Sequence, residues 1–409
     1  MRVLILSQYY RPEPIPKPSE LASSLIRQGD EVTVVTGFPN YPSGKLYQGY
    51  RLGLLRKEKL DGVNVIRTFS YPYHGRSVVG RFLNYVSFML SAPLACFVTP
   101  RFDVIYVFHP PLTIGLSAWV IARLRRVQFV YDVQDIWPEA AVLAGVLKPG
   151  SLLYCLKVLE RFVYRRADHI LVVTEGARVN LISKGVPSAK LSVMPHWFDN
   201  SIFAHRDKSA RERLRVTHGW NGKTMILFAG NIGLVQGLES VIRAAELLRD
   251  ASNIRFVFLG DGIDKARLQQ LSQSLALMDR VQFLERQPID CMPDFMAAAD
   301  GLLVHLKHSE LSNYVIPTKT LAYLASGKVI IMAMDGAAAK LVQEAGAGFV
   351  VPPDNPEKLA SAVKRLAELP VNEREKMGAL GKGYFAANLS KDTVIPRYRD
   401  LLARFAAET

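Results

Sequence analysis

Apolar runs of strand length alternate with helix-length amphipathic segments along the chain, and this alternation limits the possible folds more than any other feature. VLILS (3–7) is apolar and β-branched, SELASSLIRQG (19–29) reads as a helix stopped by Gly29, and EVTVVTG (31–37) is the next strand. VNVIRTF, DVIYVFH, QFVYDVQD, HILVVTE and KLSVMPH continue the series. A charged stretch from Phe203 to Lys223, broken by Gly219 and Gly222, interrupts it. The pattern then resumes with TMILFAG (224–230), IRFVFLG, VQFLE (281–285), GLLVHL (301–306), VIIMAM (329–334) and FVVPP (349–353). Strands separated by helices build parallel sheets covered on both faces. The expected class is α/β, with two doubly wound domains at 1–200 and 201–385, a helical tail at 386–409, and a cleft between the domains. A chain of 409 residues is also longer than one core usually serves.

Sheets of this kind bind ligands beyond the carboxyl ends of their strands. One segment meets that condition with suitable chemistry, NYVIPTKTLAYLASGK (313–328). Pro317 suits the first turn of a helix, Gly327 suits its stop, and VIIMAM follows as a buried strand. Lys319 then falls in the first helical turn. Free N–H groups and the helix dipole favour an anion there, and the ammonium adds a full positive charge. A diphosphate is the expected ligand.

Formal net charge is +14, and it is uneven: residues 1–200 carry 24 Lys+Arg against 14 Asp+Glu. A basic N-terminal half suits nucleic acid, anionic lipid or a phosphate-bearing substrate. No nucleic-acid recognition motif accompanies the charge, so nucleic acid is not expected. The most apolar run, Phe82 to Val98, contains Asn84, Ser87, Ser91 and Pro93, and reads as a buried or interfacial helix and not a span. Cys96, Cys155 and Cys291 are too few and too scattered for a disulfide framework or a metal site, which fits a reducing cytoplasm. MRVLILSQYY reads as a strand and not as a signal peptide.

Several segments together resemble retaining nucleotide-sugar glycosyltransferases of family 4, with the GT-B fold, and within them the bacterial O-antigen, capsule and colanic-acid type. They are FPNYPSGKLYQGY (38–50), YDVQDIWPEAAVLAGVLK (131–148), ADHILVVTEGARVNLISKG (167–185), VMPHWFDNSIF (193–203), AGNIGLVQGLESVIRAAELL (229–248), FLGDG (258–262) and PTKTLAYLASGKVII (317–331). The resemblance implies two Rossmann-like domains, acceptor-binding at 1–200 and nucleotide-sugar-binding at 201–385, with the last helix crossing back to the first domain. It implies transfer of a sugar from a UDP- or GDP-sugar, with retention, to a saccharide carried on a polyprenyl diphosphate at the inner face of the plasma membrane. The basic N-terminal domain would rest peripherally on anionic lipid. A nucleotide-sugar epimerase of the same fold and an inactive nucleotide-sugar-binding protein are the alternatives.

The resemblance also places site residues. Gly230, Asn231, Gly233 and Gln236 fall in the loop that meets the donor phosphates, but the arginine and lysine common at Asn231 and Gln236 are missing. The diphosphate charge then shifts to Lys319 and Thr318 at the helix start, with Arg286 as a further phosphate contact. The family's two glutamates correspond to Tyr314 and Ala322, so Glu344 becomes the candidate for the ribose. In the N-terminal half, Asp135 and His109 follow strands and are candidates for handling the acceptor hydroxyl, with Asp135 alternatively capping the next turn. Glu139 is a second acceptor-side candidate. Glu13 and Lys17, in the proline-rich loop from Gln8 to Ser19, are candidates for sugar or phosphate. Asp199 is expected to hold the hinge. No Asp-x-Asp motif occurs, so neither metal nor other cofactor is expected, and the leaving-group charge must be met by lysine, helix termini and backbone N–H groups.

Overall fold

A computed structural model describes residues 1–75, 77–143, 147–203 and 209–407. Residues 144–146 of the 131–148 motif, 204–208 of the charged stretch and 408–409 of the expected tail lie outside the described residues. The chain divides into two compact units, Met1–Met194 with Ile395–Thr409, and Pro195–Val394. The division therefore falls after Met194 and Val394 where 200 and 385 were expected, and the last helix is shared by both units.

The first unit contains strands β1 (Arg2–Ser7), β2 (Glu31–Gly37), β3 (Leu55–Leu60), β4 (Val63–Thr68), β5 (Val104–Phe108), β6 (Gln128–Val133), β7 (His169–Val172) and β8 (Leu191–Val193). Its helices are α1 (Pro16–Arg27), α2 (Val78–Ser91), α3 (Ile114–Arg125), α4 (Glu139–Leu143), α5 (Ser151–Arg166) and α6 (Glu175–Ser183). The sheet order is β3-β4-β2-β1-β5-β6-β7-β8. Every pairing is parallel except β3 with β4.

The second unit contains α7 (Ala210–Thr217), β9 (Thr224–Ala229), α8 (Glu239–Leu247), β10 (Ile254–Leu259), α9 (Lys265–Ser274), β11 (Val281–Leu284), α10 (Met292–Ala298), β12 (Gly301–His305), α11 (Thr318–Ser326), β13 (Val329–Ala333), α12 (Ala337–Glu344), β14 (Gly348–Val351), α13 (Pro356–Glu368) and α14 (Val371–Asn388). The final helix is α15 (Lys391–Ala407). The all-parallel sheet runs β11-β10-β9-β12-β13-β14.

Both faces of the second sheet are buried, as period-two side chains on covered strands require. Met225 and Leu227 of β9 join Val257, Val304 and Met332 in one core. Ile226 and Phe228 join Phe256, Phe258 and Leu303 in the other. In each sheet the chain starts in the interior and builds outward to both sides. The order reverses between β1 and β5 in the first unit, and between β9 and β12 in the second. Ligands of doubly wound sheets gather at the carboxyl end of this reversal.

Candidate functional site

In the second unit that position holds a cavity of about 500 Å³. Gly230 and Asn231 line it from the end of β9, Gly260 and Asp261 from the end of β10, Arg286 from the end of β11, and Thr318 and Lys319 from the first turn of α11. Phe198, Ile202, Ile289, Met292 and Met296 form an apolar wall.

The glycines join two loops. The Gly230 amide donates to Leu259 O at 2.9 Å, the Ile232 amide to Asp261 O at 2.8 Å, and the Asp264 amide returns to Ile232 O at 3.0 Å. Gly260 has φ +149°, and a Cβ there would stand 1.9 Å from Gly230 O. Only a residue without a side chain lets the loops approach so closely. The amides of Gly230 and Gly233 are thus already engaged, the latter by Gln236 Oε1 at 3.1 Å. This corrects the expected phosphate cradle. Neither Gly233 nor Gln236 lines the cavity. Gln236 holds the turn, with its carbonyl 2.6 Å from Nδ1 of the buried His305.

Positive charge enters from two side chains. Lys319 lays its ammonium 3.8 Å from the centroid of the Phe228 ring, and a Cβ on Gly230 would be 3.2 Å from it. Desolvation lowers its pKa to about 7, and among the described residues no carboxylate pairs with it. Arg286 is exposed and likewise unpaired among them, whereas its neighbour Glu285 holds Lys265 at 2.8 Å. One carboxylate, Asp261, also borders the cavity and accepts the Gly262 amide at 2.8 Å. A cation held without its counter-charge is electrostatically prepared for an incoming anion.

The lowered pKa has a consequence for binding. A diphosphate stabilises the ammonium, so it raises the Lys319 pKa above 7. Affinity for a nucleotide sugar should be flat below pH 7 and fall by up to about tenfold per unit as pH rises above it. Titration calorimetry in buffers of different ionisation heat should detect proton uptake at pH 8. Lys319→Arg should bind without this pH dependence; an unchanged profile would assign the proton elsewhere.

Glu344 is placed wrongly by the sequence reading. It ends α12, which runs from the carboxyl end of β13 toward the amino end of β14, so it lies at the opposite edge of the sheet from Lys319. It is exposed, with Tyr384 Oη 3.3 Å away. Asp199, expected to hold the hinge, accepts from Lys391 Nζ at 2.7 Å and from the Ser201 amide at 3.0 Å, both within the second unit.

In the first unit, the carboxyl ends of β5 and β6 and the start of α1 gather a second set of groups. Lys17 Nζ donates to Gln134 Oε1 at 2.8 Å. Burial lowers the Lys17 pKa to about 7, against the opposing pull of Asp132, Glu20 and Asp135. Lys17 is thus brought beside Asp135, and is committed to the protein's own groups. The Asp135 carboxyl is raised by burial and lowered by Lys17. Asp135 does not cap the following turn with its side chain; the Trp137 amide donates to the Asp135 backbone carbonyl at 3.0 Å. Asp132, inside β6, escaped the sequence reading. It is buried, accepts from the hydroxyls of Tyr106 and Tyr398, and leaves Oδ1 without a hydrogen bond among the described residues.

Three expected contacts have other duties. Both Glu13 oxygens are taken by backbone amides, Oε1 by Asn40 and Tyr41 at 2.8 Å and Oε2 by Tyr10 at 3.0 Å. The side chain fastens the proline-rich loop and is closed to a sugar. Glu139 turns to Lys184 at 2.7 Å, which also holds the buried Glu160. His109 is 2% exposed, and burial pushes its pKa down to about 3. It is a neutral imidazole at physiological pH and cannot act as a cationic acid.

Comparison with known proteins accords with this geometry. Residues 18–197 match the family described as glycosyl transferase 4-like domain, and residues 210–383 match glycosyl transferases group 1. WcaI of Escherichia coli K12, named for glycosyl transfer in colanic acid biosynthesis, is 28% identical over 411 residues, covering 97% of this chain and 98% of WcaI. WbjE of Pseudomonas aeruginosa, named as a glycosyltransferase, is 27% identical over 297 residues, covering 71% of this chain and 72% of WbjE. HepE of Anabaena, solved with UDP and glucose, has the same fold, with a TM-score of 0.70 at 18% identity, covering 98% of this chain and 99% of HepE. With the two family matches spanning nearly all of both units, the chain belongs to the group 1, family 4-like glycosyltransferases and has their GT-B fold.

Proposed function

We propose that this glycosyltransferase moves a sugar, with retention and without a metal, from a UDP- or GDP-sugar to a saccharide on a polyprenyl diphosphate, in surface-polysaccharide assembly at the cytoplasmic face of the inner membrane. The observation that carries the donor half is the placement of two cations unpaired among the described residues, Lys319 and Arg286, with a helix N-terminus at the carboxyl ends of β9–β11. A diphosphate leaving group departs with its negative charge, and fixed positive groups stabilise that charge as it develops. The apolar wall of Phe198, Ile289 and Met296 suits the flat face of a nucleobase. On the acceptor side, Asp135 takes the proton of the attacking hydroxyl. Its raised pKa, set by burial, favours holding that proton. The relation to WcaI, named for colanic acid biosynthesis, supports the polysaccharide setting.

Thermal unfolding with UDP, GDP and CMP tests the donor reading. One of UDP or GDP should raise the melting temperature, since a ligand at 100 times its Kd adds about 2.7 kcal/mol. The matching nucleotide sugar should then be hydrolysed slowly without acceptor, at the same rate with and without EDTA. No shift with either UDP or GDP would overturn the donor site, and loss of turnover in EDTA would overturn metal independence.

A further inference from the structure

We propose that Val78–Phe97 docks the first unit onto an anionic bilayer by lying in the membrane plane, with its outward face in the acyl-chain boundary. This deepens the membrane-surface part of the function proposed above by naming the element that makes the contact.

The segment has 20 residues, and an 18-residue window within it has mean hydropathy 1.2 and is mostly not buried. It is α2 continued by a short turn of tighter helix over Ala92–Phe97. Its large apolar side chains point outward: Val79 is 67% exposed, Leu90 66% and Phe97 80%, and Phe82, Leu83 and Leu94 are exposed beside them. At 3.6 residues per turn these positions share about a third of the helix circumference. The inward face carries mainly small and polar residues, Gly80, Asn84, Ser91 and Ala95 among them, together with the fully buried Phe88. This is the reverse of a helix that covers a soluble core.

The inward face is also tied down. Asn84 Oδ1 accepts from Gln8 Nε2 at 2.7 Å, and Asn84 Nδ2 donates to Tyr71 O at 2.6 Å. Ser91 Oγ donates to Phe69 O at 2.5 Å, and Ser117 Oγ to Met89 O at 2.8 Å. Crossing a bilayer would break all of these and leave their polar partners buried and unbonded, so the helix lies flat. Charge selects the partner. Arg125 donates to Cys96 O at 3.0 Å and Pro100 O at 2.8 Å, which brings the end of α3 against the end of this segment. Arg123 and Arg126 are exposed there, with Arg101 beyond Pro100. An apolar stripe bordered by arginines fits a surface of apolar chains under anionic headgroups.

The test uses the full chain and vesicles of phosphatidylglycerol mixed with phosphatidylcholine. The protein should sediment with them, and high salt should weaken the binding by screening the arginines. Phe82→Ser/Leu90→Ser/Phe97→Ser should lower the partition coefficient by about 100-fold or more, because three large apolar groups leave the bilayer. These positions are exposed, so the variant should fold; circular dichroism and the melting temperature verify this. Leu90→Trp should show blue-shifted emission on binding, quenched by lipids brominated high on the acyl chain, and alkaline carbonate should extract the protein. Binding of the triple variant within twofold of the wild type, or unshifted Leu90→Trp emission, would overturn the proposal. So would retention after carbonate, which means a span. A lipid-free dimer abolished by the triple substitution, without vesicle binding by the wild type, would give the stripe to a second copy. Nucleotide binding measured without lipid separates this outcome from failure of the donor-site reading, since neither result depends on the other.

Discussion

Lys319→Met lowers kcat/KM for sugar transfer by roughly two to three orders of magnitude, the usual cost of losing one preorganised charge-stabilising group. The methionine keeps the length and the contact with the Phe228 ring, so the fold is retained. The whole effect then belongs to the charge. Arg286 remains at the cavity but is exposed, and a solvated charge interacts more weakly than one in a dry site. Steady-state kinetics with the identified donor provides the measurement. Lys319→Arg keeps the charge with a different shape and should recover a part of the loss. Turnover of Lys319→Met within about fivefold of the wild type would mean that the leaving diphosphate is neutralised elsewhere.

Gly260→Ala destabilises the second unit by about 3 kcal/mol or more, because its Cβ would collide with the Gly230 carbonyl and its backbone angle is unfavourable for any other residue. For a unit of this size that lowers the melting temperature by about 6–12 °C. The added methyl pries apart the two loops that line the cavity, so nucleotide binding should weaken as well. Gly383→Ala is the control: it lies in α14 with nothing within 4 Å of the added carbon, and should be neutral or slightly stabilising. Calorimetry of the two variants separates a steric effect from a general intolerance of alanine for glycine.

The elements legible in the sequence are those specified locally. Lys319 was placed at a helix start by Pro317 before it and Gly327 after it, and α11 runs between those residues. The parallel strands of both sheets were visible as apolar runs. β3 was not, because LRKEKL is an edge strand with one paired side and a charged sequence, as edges favour. The errors at the site share one cause, which is that distance along the chain does not give direction in space. Glu344 is near Lys319 in sequence, yet eight residues of α12 carry it about 12 Å to the other edge of the sheet. The Gly230 loop looked like a phosphate cradle, but glycine also permits a second backbone to approach, and that backbone is the Gly260 loop. Asp132 drew no attention because one of its partners, Tyr398, lies 266 residues away.

That last contact bears on how the protein can be dissected. Tyr398 belongs to the first unit although it is near the end of the chain, and it helps to shield a buried carboxylate. Arg399 beside it holds the buried Asp30 at 2.7 Å. A fragment ending at Met194 would remove one partner from each acid, Tyr398 from Asp132 and Arg399 from Asp30, leaving Tyr106 and the Met1 ammonium as partners. The first unit is therefore discontinuous in sequence, and an expression design that isolates it must join residues 395–407 back to residue 194.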